Sequence, residues 1–431
     1  MVFKREKYLQ RLLSRKGNGF VKIITGVRRC GKSYLLFKLF KKLLMKSGVT
    51  AAQFIEIELD DDKNENLRDP RKLSAYVRGK VRGKSAYYLF IDEIQFCRAV
   101  PLPDNPEEKL TFYDVLNGLM KIRNLDIYVT GSNSRMLSKD VATHFRDRGD
   151  VVQIHPLTFA EYHEAVRGDV YRDWNEYLVY GGMPEAVLKK KHEEKAAYLT
   201  GLFASTYLKD IVERYKLRDD YALGRTLEIV SSVAGSLTNP TKLTHAMQNE
   251  LGVRISIPTV KNYLEYLTDS FLFRRADRYD VKGKRYLDYP AKYYAEDVGL
   301  RNARLNFRQT EVDHLMENVI YNELISRGAN VDVGVVETRE VVNGVQVRKQ
   351  LEIDFVVNLG LSKIYIQSAY ALATERKKEQ ETASLERSGD SFRKIVVVGV
   401  PQPKYTDERG VTYIGVMDFL LDPSVLDGLL K

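Results

Sequence analysis

The chain has 431 residues, 44% of them hydrophobic and 29% charged, with 12 prolines; at about 150 residues per domain it spans roughly two to three domains, and its composition excludes a disordered, fibrous or low-complexity polymer. Lys+Arg 68 against Asp+Glu 58 leaves a net charge of +10, which permits an anionic partner such as nucleic acid or phosphate without requiring one. Two cysteines exclude a disulfide framework and a paired-cysteine zinc site, while the charged start MVFKREKYLQ and the lack of any run near ~18 apolar residues predict a cytoplasmic protein with no membrane partner.

Through the first third, β-rich apolar runs (Val21 to Thr25, Gln53 to Leu59, Tyr87 to Ile91, Asp126 to Thr130) alternate with helix-period stretches such as SYLLFKLFKKLL and FYDVLNGLMKI. Runs apolar on both faces and too far apart for hairpins predict an α/β domain, a parallel sheet with helices on both faces. From Val170 to Val233 the pattern turns helical, broken at Gly181-Gly182-Met183-Pro184. LTHAMQNELGVRISIPTVKNYLEYLTDSFLF then predicts two helices about a Gly-containing turn, with Ser256 and Pro258 at a helix start, followed by strands at Phe271 to Tyr279 and Arg285 to Tyr289. Helix, turn, helix and a basic two-stranded wing suggest a winged helix. After Glu311 come a helix, three strands, the charged helix ATERKKEQETASLER and a strand, an α+β unit. The predicted domains are therefore 1–165, 166–225, 226–305 and 306–431.

Between the first strand and helix lies Gly26-Val27-Arg28-Arg29-Cys30-Gly31-Lys32-Ser33, a G-x-x-x-x-G-K-S phosphate loop (Walker A), with Tyr34 next along. The glycines let backbone N–H groups curl toward phosphate and the helix adds its positive end; Lys32 suits the β- and γ-phosphates of ATP, and Ser33 suits Mg²⁺. Strand Tyr88 to Ile91 ends at Asp92 and Glu93, the first placed to hold Mg²⁺ and the second to act as general base toward water. Ser132 and Asn133, after the next strand, are candidates to bond the attacking water or γ-phosphate, against a plain turn or cap. Arg148, preferred over Arg146, is the candidate to stabilise charge on that phosphate, from its own subunit or a neighbour, against a solvated basic turn.

Together GVRRCGKS, LFIDEIQ, TGSNS, PLTFAEY, YGGMPEAV, EIDFVV and YIQSAY resemble a bacterial and archaeal AAA-type ATPase family with a C-terminal domain of unknown function. The resemblance spans nearly the whole chain. It implies an N-terminal AAA-type ATPase, a winged helix and a restriction-endonuclease-like fold, with ATP binding and hydrolysis. The family pattern carries an arginine just before the PLTFAEY-like segment, which points to Arg148, although here Gly149 follows that arginine instead of preceding it.

In the last unit, Glu317 on a helix, Asp354 on a strand and KIYIQSAY parallel a PD-(D/E)xK nuclease core, in which acids bind metal and a lysine on the last strand positions water. Gln367 and Ala369 stand where the second acid and the lysine belong, so the expectation is an inactive nuclease fold kept for binding or assembly. The winged helix offers Arg254, Lys261, Arg274, Arg275, Arg278, Lys282, Lys284, Arg285 and Lys292 to double-stranded DNA, with a protein partner as the rival. The functional expectation is an Mg²⁺-dependent ATPase whose nucleotide state moves its C-terminal domains, and which could assemble as a nucleotide-dependent homo-oligomer. The alternatives are an ATP-gated switch with little turnover and an ATP-dependent nuclease.

Overall fold

The computed structural model describes residues 2–131, 145, 148–218, 220–342, 345–359 and 362–426. They divide into two compact units, one of Val2–Pro156 with Asp269–Phe271, the other of Leu157–Thr268 and Leu272 onward.

The first unit is built on five strands: β1 (Val21–Thr25), β2 (Phe54–Glu58), β3 (Tyr87–Asp92), β4 (Leu125–Gly131) and β5 (Gly149–Gln153). All neighbours are parallel, in the order β2-β3-β4-β1-β5. The central strands are buried along their length, as strands covered on both faces must be. Alternation sorts their side chains: Leu89, Ile91, Ile127 and Val129 join one core with Leu116 and Leu119 of a helix, while Phe90 and Tyr128 meet Phe40 on the other face at ring distances of 6.2 and 5.1 Å. Helices α1 (Glu6–Ser14), α2 (Lys41–Lys46), α3 (Pro70–Lys80) and α4 (Phe112–Leu119) complete the unit, α2 continuing from π-helical turns at Tyr34–Phe40. Thr111 starts α4 through a reciprocal capping box with Asp114. β1 departs from a purely apolar run at Lys22, which is wholly buried and ion-paired with Asp126 beneath the Tyr128 ring.

The second unit begins with helices α5 (Phe159–Val166), α6 (Val170–Tyr180), α7 (Pro184–Leu188), α8 (His192–Leu202), α9 (Leu208–Tyr215), α10 (Tyr221–Ser232), α11 (Pro240–Leu251) and α12 (Ile257–Asp269). Asn239 caps α11 by accepting from the Lys242 N–H at 2.7 Å, with Pro240 in the first turn, and Gly252 at φ +65° ends it. Then come β6 (Phe273–Asp280), β7 (Arg285–Ala295), α13 (Val298–Arg304), α14 (Val312–Ser326), β8 (Asn330–Val342), β9 (Val345–Leu359), β10 (Ser362–Ala369), α15 (Glu375–Glu386), β11 (Arg393–Val398), β12 (Tyr405–Thr406), β13 (Val411–Gly415) and α16 (Val416–Leu421).

One eight-stranded sheet runs through this unit in the order β12-β13-β11-β10-β9-β8-β6-β7. The hairpin expected as the basic wing of a winged helix is part of it, because β6 lies parallel to β8 with Val333 opposite Arg278 and Val335 opposite Asp280. The edge of β6 away from β7 is thereby paired. β7 also continues to Ala295, six residues past the expected end at Tyr289, which carries Lys292 and Tyr294 into the sheet. Among the described residues no helix is long and apolar enough to cross a membrane.

Candidate functional site

The phosphate loop leaves the C-terminal end of β1, where β1 lies between β4 and β5 while β2 and β3 lie beyond β4. That change of strand order opens a crevice in which open α/β sheets bind ligands. Gly26 has φ +144° and Gly31 φ +99°, with Arg29 at +64° between them. Gly26 is required twice over, since a Cβ there would stand 2.1 Å from the Ile154 carbonyl oxygen. Lys32 is buried and donates to the Gly26 and Val27 carbonyls at 3.1 Å each. Lys32 and Ser33 open the helix that runs to Lys46, so its positive end faces the loop. Val27 and Cys30 are packed inside, the Cys30 thiol 3.6 Å from the Ile154 carbonyl, while Arg28 is half-buried and Arg29 and Tyr34 are exposed.

The Ser33 hydroxyl donates to Asp92 Oδ2 at 2.7 Å, joining the loop to the end of β3. Thr130, wholly buried at the end of β4, donates to the other Asp92 oxygen and accepts the Glu93 N–H at 3.0 Å. Glu93 sits at φ +50°, a left-handed conformation that costs a non-glycine residue roughly 1 kcal/mol or more and is found at functional sites. Its carboxylate is held by the Gln95 amide. Glu58, at the end of β2, lies opposite Asp92 in the sheet, and burial, followed by the Asp92 charge, raises its pKa. A hydroxyl, a carboxylate and a second carboxylate at adjacent strand ends are the hard oxygen donors that Mg²⁺ selects. The chemistry of these residues fits that ion, which Ser33 and Asp92 would hold.

Sequence reasoning missed Thr130 and Glu58, though both stand at strand ends of the same sheet, where a polar residue closing an apolar run is the available signal. Ser132 and Asn133 lie outside the described residues. Arg148 is exposed and immediately precedes β5, its carbonyl accepting the Val21 N–H. It therefore lies at the start of β1, about 13 Å of strand from the loop beyond Thr25. The own-subunit role for Arg148 is corrected by this register: its side chain begins at the wrong end of the sheet.

The basic residues of the hairpin are mostly spoken for. Arg274 pairs with Glu296 at 2.6 Å, Arg275 with Asp277 at 2.8 Å and Arg285 with Asp280 at 3.5 Å. Arg278 is buried against the Gln350 amide oxygen, and burial lowers its pKa. Lys292 is buried among carboxylates, 2.8 Å from Glu317, 2.7 Å from Glu352 and 3.6 Å from Asp354. Arg274, Arg278 and Lys292 are thus taken up by the fold, whereas Lys282, Lys284 and Arg285 remain exposed. Lys292 also corrects the account of the nuclease-like core. Ala369 offers no charge, yet an ammonium reaches Glu317 and Asp354 from β7, a strand that sequence spacing did not associate with them. Gln367 accepts the Asp354 N–H at 3.4 Å, and the Asp354 carboxylate accepts the Ser368 N–H at 2.8 Å. Burial and then Glu317 push Asp354 well above the usual carboxylate range. Burial opposes the Lys292 charge, but Glu317, Asp354 and Glu352 outweigh it and raise its pKa.

Residues 18–163 match the family model described as an AAA domain, and residues 171–311 match a domain of unknown function (DUF8612). An uncharacterized protein of Haemophilus influenzae is 31% identical over 97% of this chain and 99% of its own length. The chain belongs to this family of AAA-domain proteins. An uncharacterized protein of Methanocaldococcus jannaschii is 27% identical over 85% of this chain and 78% of its own length. Among solved structures, an Aeropyrum pernix Orc1 protein in complex with DNA is 13% identical with a TM-score of 0.28, covering 71% of this chain and 93% of that one. AMPPCP-bound DnaA from Aquifex aeolicus is 14% identical with a TM-score of 0.26, covering 61% and 86%. The first unit of this family member is a nucleotide-binding AAA-type P-loop ATPase fold.

Proposed function

We propose that the chain binds ATP with Mg²⁺ at Gly26–Ser33 and hydrolyses it, and that the nucleotide state is passed to the second unit. The observation that carries the reading is the Ser33–Asp92 contact of 2.7 Å, which brings the phosphate loop and the acidic end of β3 to one point. Mg²⁺ would supply charge neutralisation on the phosphate oxygens and a fixed geometry. Lys32 turns from the loop carbonyls to phosphate, Ser33 and Asp92 hold the ion, and Thr130 fixes the orientation of Asp92. Glu93, locked by its backbone and by Gln95, accepts a proton from water. An arginine of a neighbouring copy, Arg148, is the proposed outside contribution.

Coupling is supported by the chain segment on which the loop rests. Ile154 donates its N–H to the Thr25 carbonyl at 2.7 Å and accepts the Cys30 thiol, and Arg5 ties the Cys30 carbonyl to those of His155 and Pro156. Pro156 is the last residue before the second unit. A loop that shifts on phosphate binding moves the strand of chain that leaves it.

Phosphate release by the wild type, Lys32→Ala and Glu93→Gln tests the reading. Both variants should lose turnover, Lys32→Ala by losing ATP affinity and Glu93→Gln while retaining it. Full turnover in either would remove the proposed chemistry. Trp174, the sole tryptophan, lies in the second unit, so a change in its emission on adding ATP and Mg²⁺, absent in Lys32→Ala, reports the coupling.

A further inference from the structure

We infer that the β8–β9 ribbon, with the β6–β7 turn beside it, is a docking surface for the backbone of duplex DNA. The inference goes beyond the ATPase reading and stands independently of turnover. β8 pairs with β6 only over Val333–Val335, and β9 pairs with β10 only over Phe355–Leu359. The remainder, from Val336 to Val342 and from Val345 to Ile353, pairs only with itself. Val336 and Ile353 are still buried in the core, so the projecting part of β8 is Glu337–Val342, six residues or about 20 Å of strand; within it Glu340 pairs with Lys349 and with Arg387 just beyond α15.

Arg339 lies directly opposite Arg348 on this ribbon. Like charges in a cross-strand pair are destabilising, and neither guanidinium has a hydrogen bond or ion pair among the described residues. Both are exposed, and both line a concavity of about 520 Å³ with Lys282 and Arg285 of the adjoining turn. Lys282 reaches across to the Glu337 carbonyl at 3.2 Å, a contact that leaves its charge unbalanced, and exposed Lys284 follows it in the turn. Asp280 and Glu337 also line the concavity; Asp280 accepts the Gly283 N–H and pairs with Arg285. A repulsive arginine pair flanked by two more cations is an arrangement that an anion relieves.

The shape selects which polyanion. The major groove of B-form DNA, about 12 Å wide, admits a two-stranded ribbon. The deep, narrow major groove of duplex RNA does not. At the outer end Val341 and Val347 are 69% and 45% exposed, apolar side chains suited to base edges and thymine methyls rather than to free phosphate. The helices α11 and α12 are not needed for this contact, which separates it from recognition by a helix in the groove.

The test uses the full chain and a labelled duplex of about 25 base pairs, more than two helical turns. Arg339→Ala/Arg348→Ala should weaken binding about tenfold or more and lower the log–log salt slope by about 2, at ~0.9 per phosphate contact. Arg339→Lys/Arg348→Lys, which keeps both charges, should stay within about threefold. ATP turnover without DNA should be unchanged in both. The inference is overturned if the wild type does not bind the duplex, if it binds duplex RNA equally well, or if the alanine pair binds as the wild type does. It is equally overturned if the loss appears in Arg254→Ala/Lys261→Ala and not in the ribbon variants.

Discussion

The Lys292 ammonium, its side chain only 4% exposed, lies 2.8 Å from the Glu317 carboxylate and 2.7 Å from that of Glu352. It stands between Glu317 and Asp354, the two acids that parallel the metal-binding acids of a nuclease core. Removing it leaves Glu317, which also accepts the Tyr294 hydroxyl at 2.6 Å, as an uncompensated buried charge. Lys292→Met should lower the stability of the second unit by about 3–5 kcal/mol, and adding Glu317→Gln should restore part of that loss. Urea titration followed by Trp174 emission reads the change. A Lys292→Met transition that coincides with wild type would mean that the ion pair contributes nothing. With the ammonium in place, supercoiled plasmid in Mg²⁺ should stay unnicked by the wild type and by Asp354→Ala alike; nicking abolished by Asp354→Ala would show a working nuclease.

Asp297 gives the second unit a pH dependence. Its carboxylate accepts the Gly182 N–H at 2.7 Å and the Leu300 N–H at 2.9 Å, and burial pushes its pKa up to about 6. The unfolded value is about 3.9, so between about pH 4 and 6 the folded state binds the proton more tightly. The stabilisation is complete below pH ~4 and is lost as pH rises to ~6, about 3 kcal/mol over two units at ~1.4 each. Above that the contribution is flat. Asp297→Asn should remove this slope, so the stability difference between wild type and variant should change by that amount between pH ~4 and ~6.5. A constant difference would show that Asp297 does not titrate there.

Thr130 separates binding from turnover. Its hydroxyl supports both Asp92 and the Glu93 N–H, and among the described residues no hydrogen bond joins it to the phosphate loop. Thr130→Val keeps the shape and removes both contacts, so kcat should fall by about tenfold to a hundredfold, within the usual range for misplacing catalytic groups. ATP affinity, set by the loop and Lys32, should stay within a few-fold. Steady-state phosphate release together with equilibrium titration of a fluorescent ATP analogue reads both quantities. A loss confined to affinity would place Thr130 in binding rather than in positioning.

What the sequence revealed and what it concealed follow one physical division. β1, β3 and β4 were legible because strands buried on both faces need continuous apolar residues, and the phosphate loop was legible because only glycine takes the backbone of Gly26. The same local logic anticipated Ser256 as a helix start. Lys292 and Arg278 were read as surface cations because a lysine or arginine in a strand carries no local mark of its partner. The carboxylates that bury Lys292 lie 25, 60 and 62 residues away, at Glu317, Glu352 and Asp354. The two glycines at Gly181-Gly182 were read as a break and do separate α6 from α7, but nothing local showed that a Cβ on Gly181 would stand 2.2 Å from Asp297 Oδ1 and one on Gly182 2.0 Å from the Leu157 carbonyl oxygen. Long-range partners, not local conformation, were the hidden part.

Arg148 carries the last prediction, because its position allows only a contribution from outside. Its carbonyl is bound by the Val21 N–H, and its exposed side chain starts at the edge of the sheet opposite Gly26. If it meets phosphate at all, it meets that of another copy, and its effect must depend on association. Arg148→Ala should therefore bind ATP as the wild type does. Wild-type turnover per subunit should climb with protein concentration as copies meet, and the variant should stay low across the same range, by the ~10³-fold or greater margin an arginine supplied in trans can give. Mixing Arg148→Ala with Glu93→Gln makes the test direct. Each lacks a different part, so a mixed assembly contains sites in which an intact Glu93 faces an intact Arg148. Recovered activity in the mixture locates the arginine in the neighbour, and a mixture as inactive as its components removes Arg148 from the reaction.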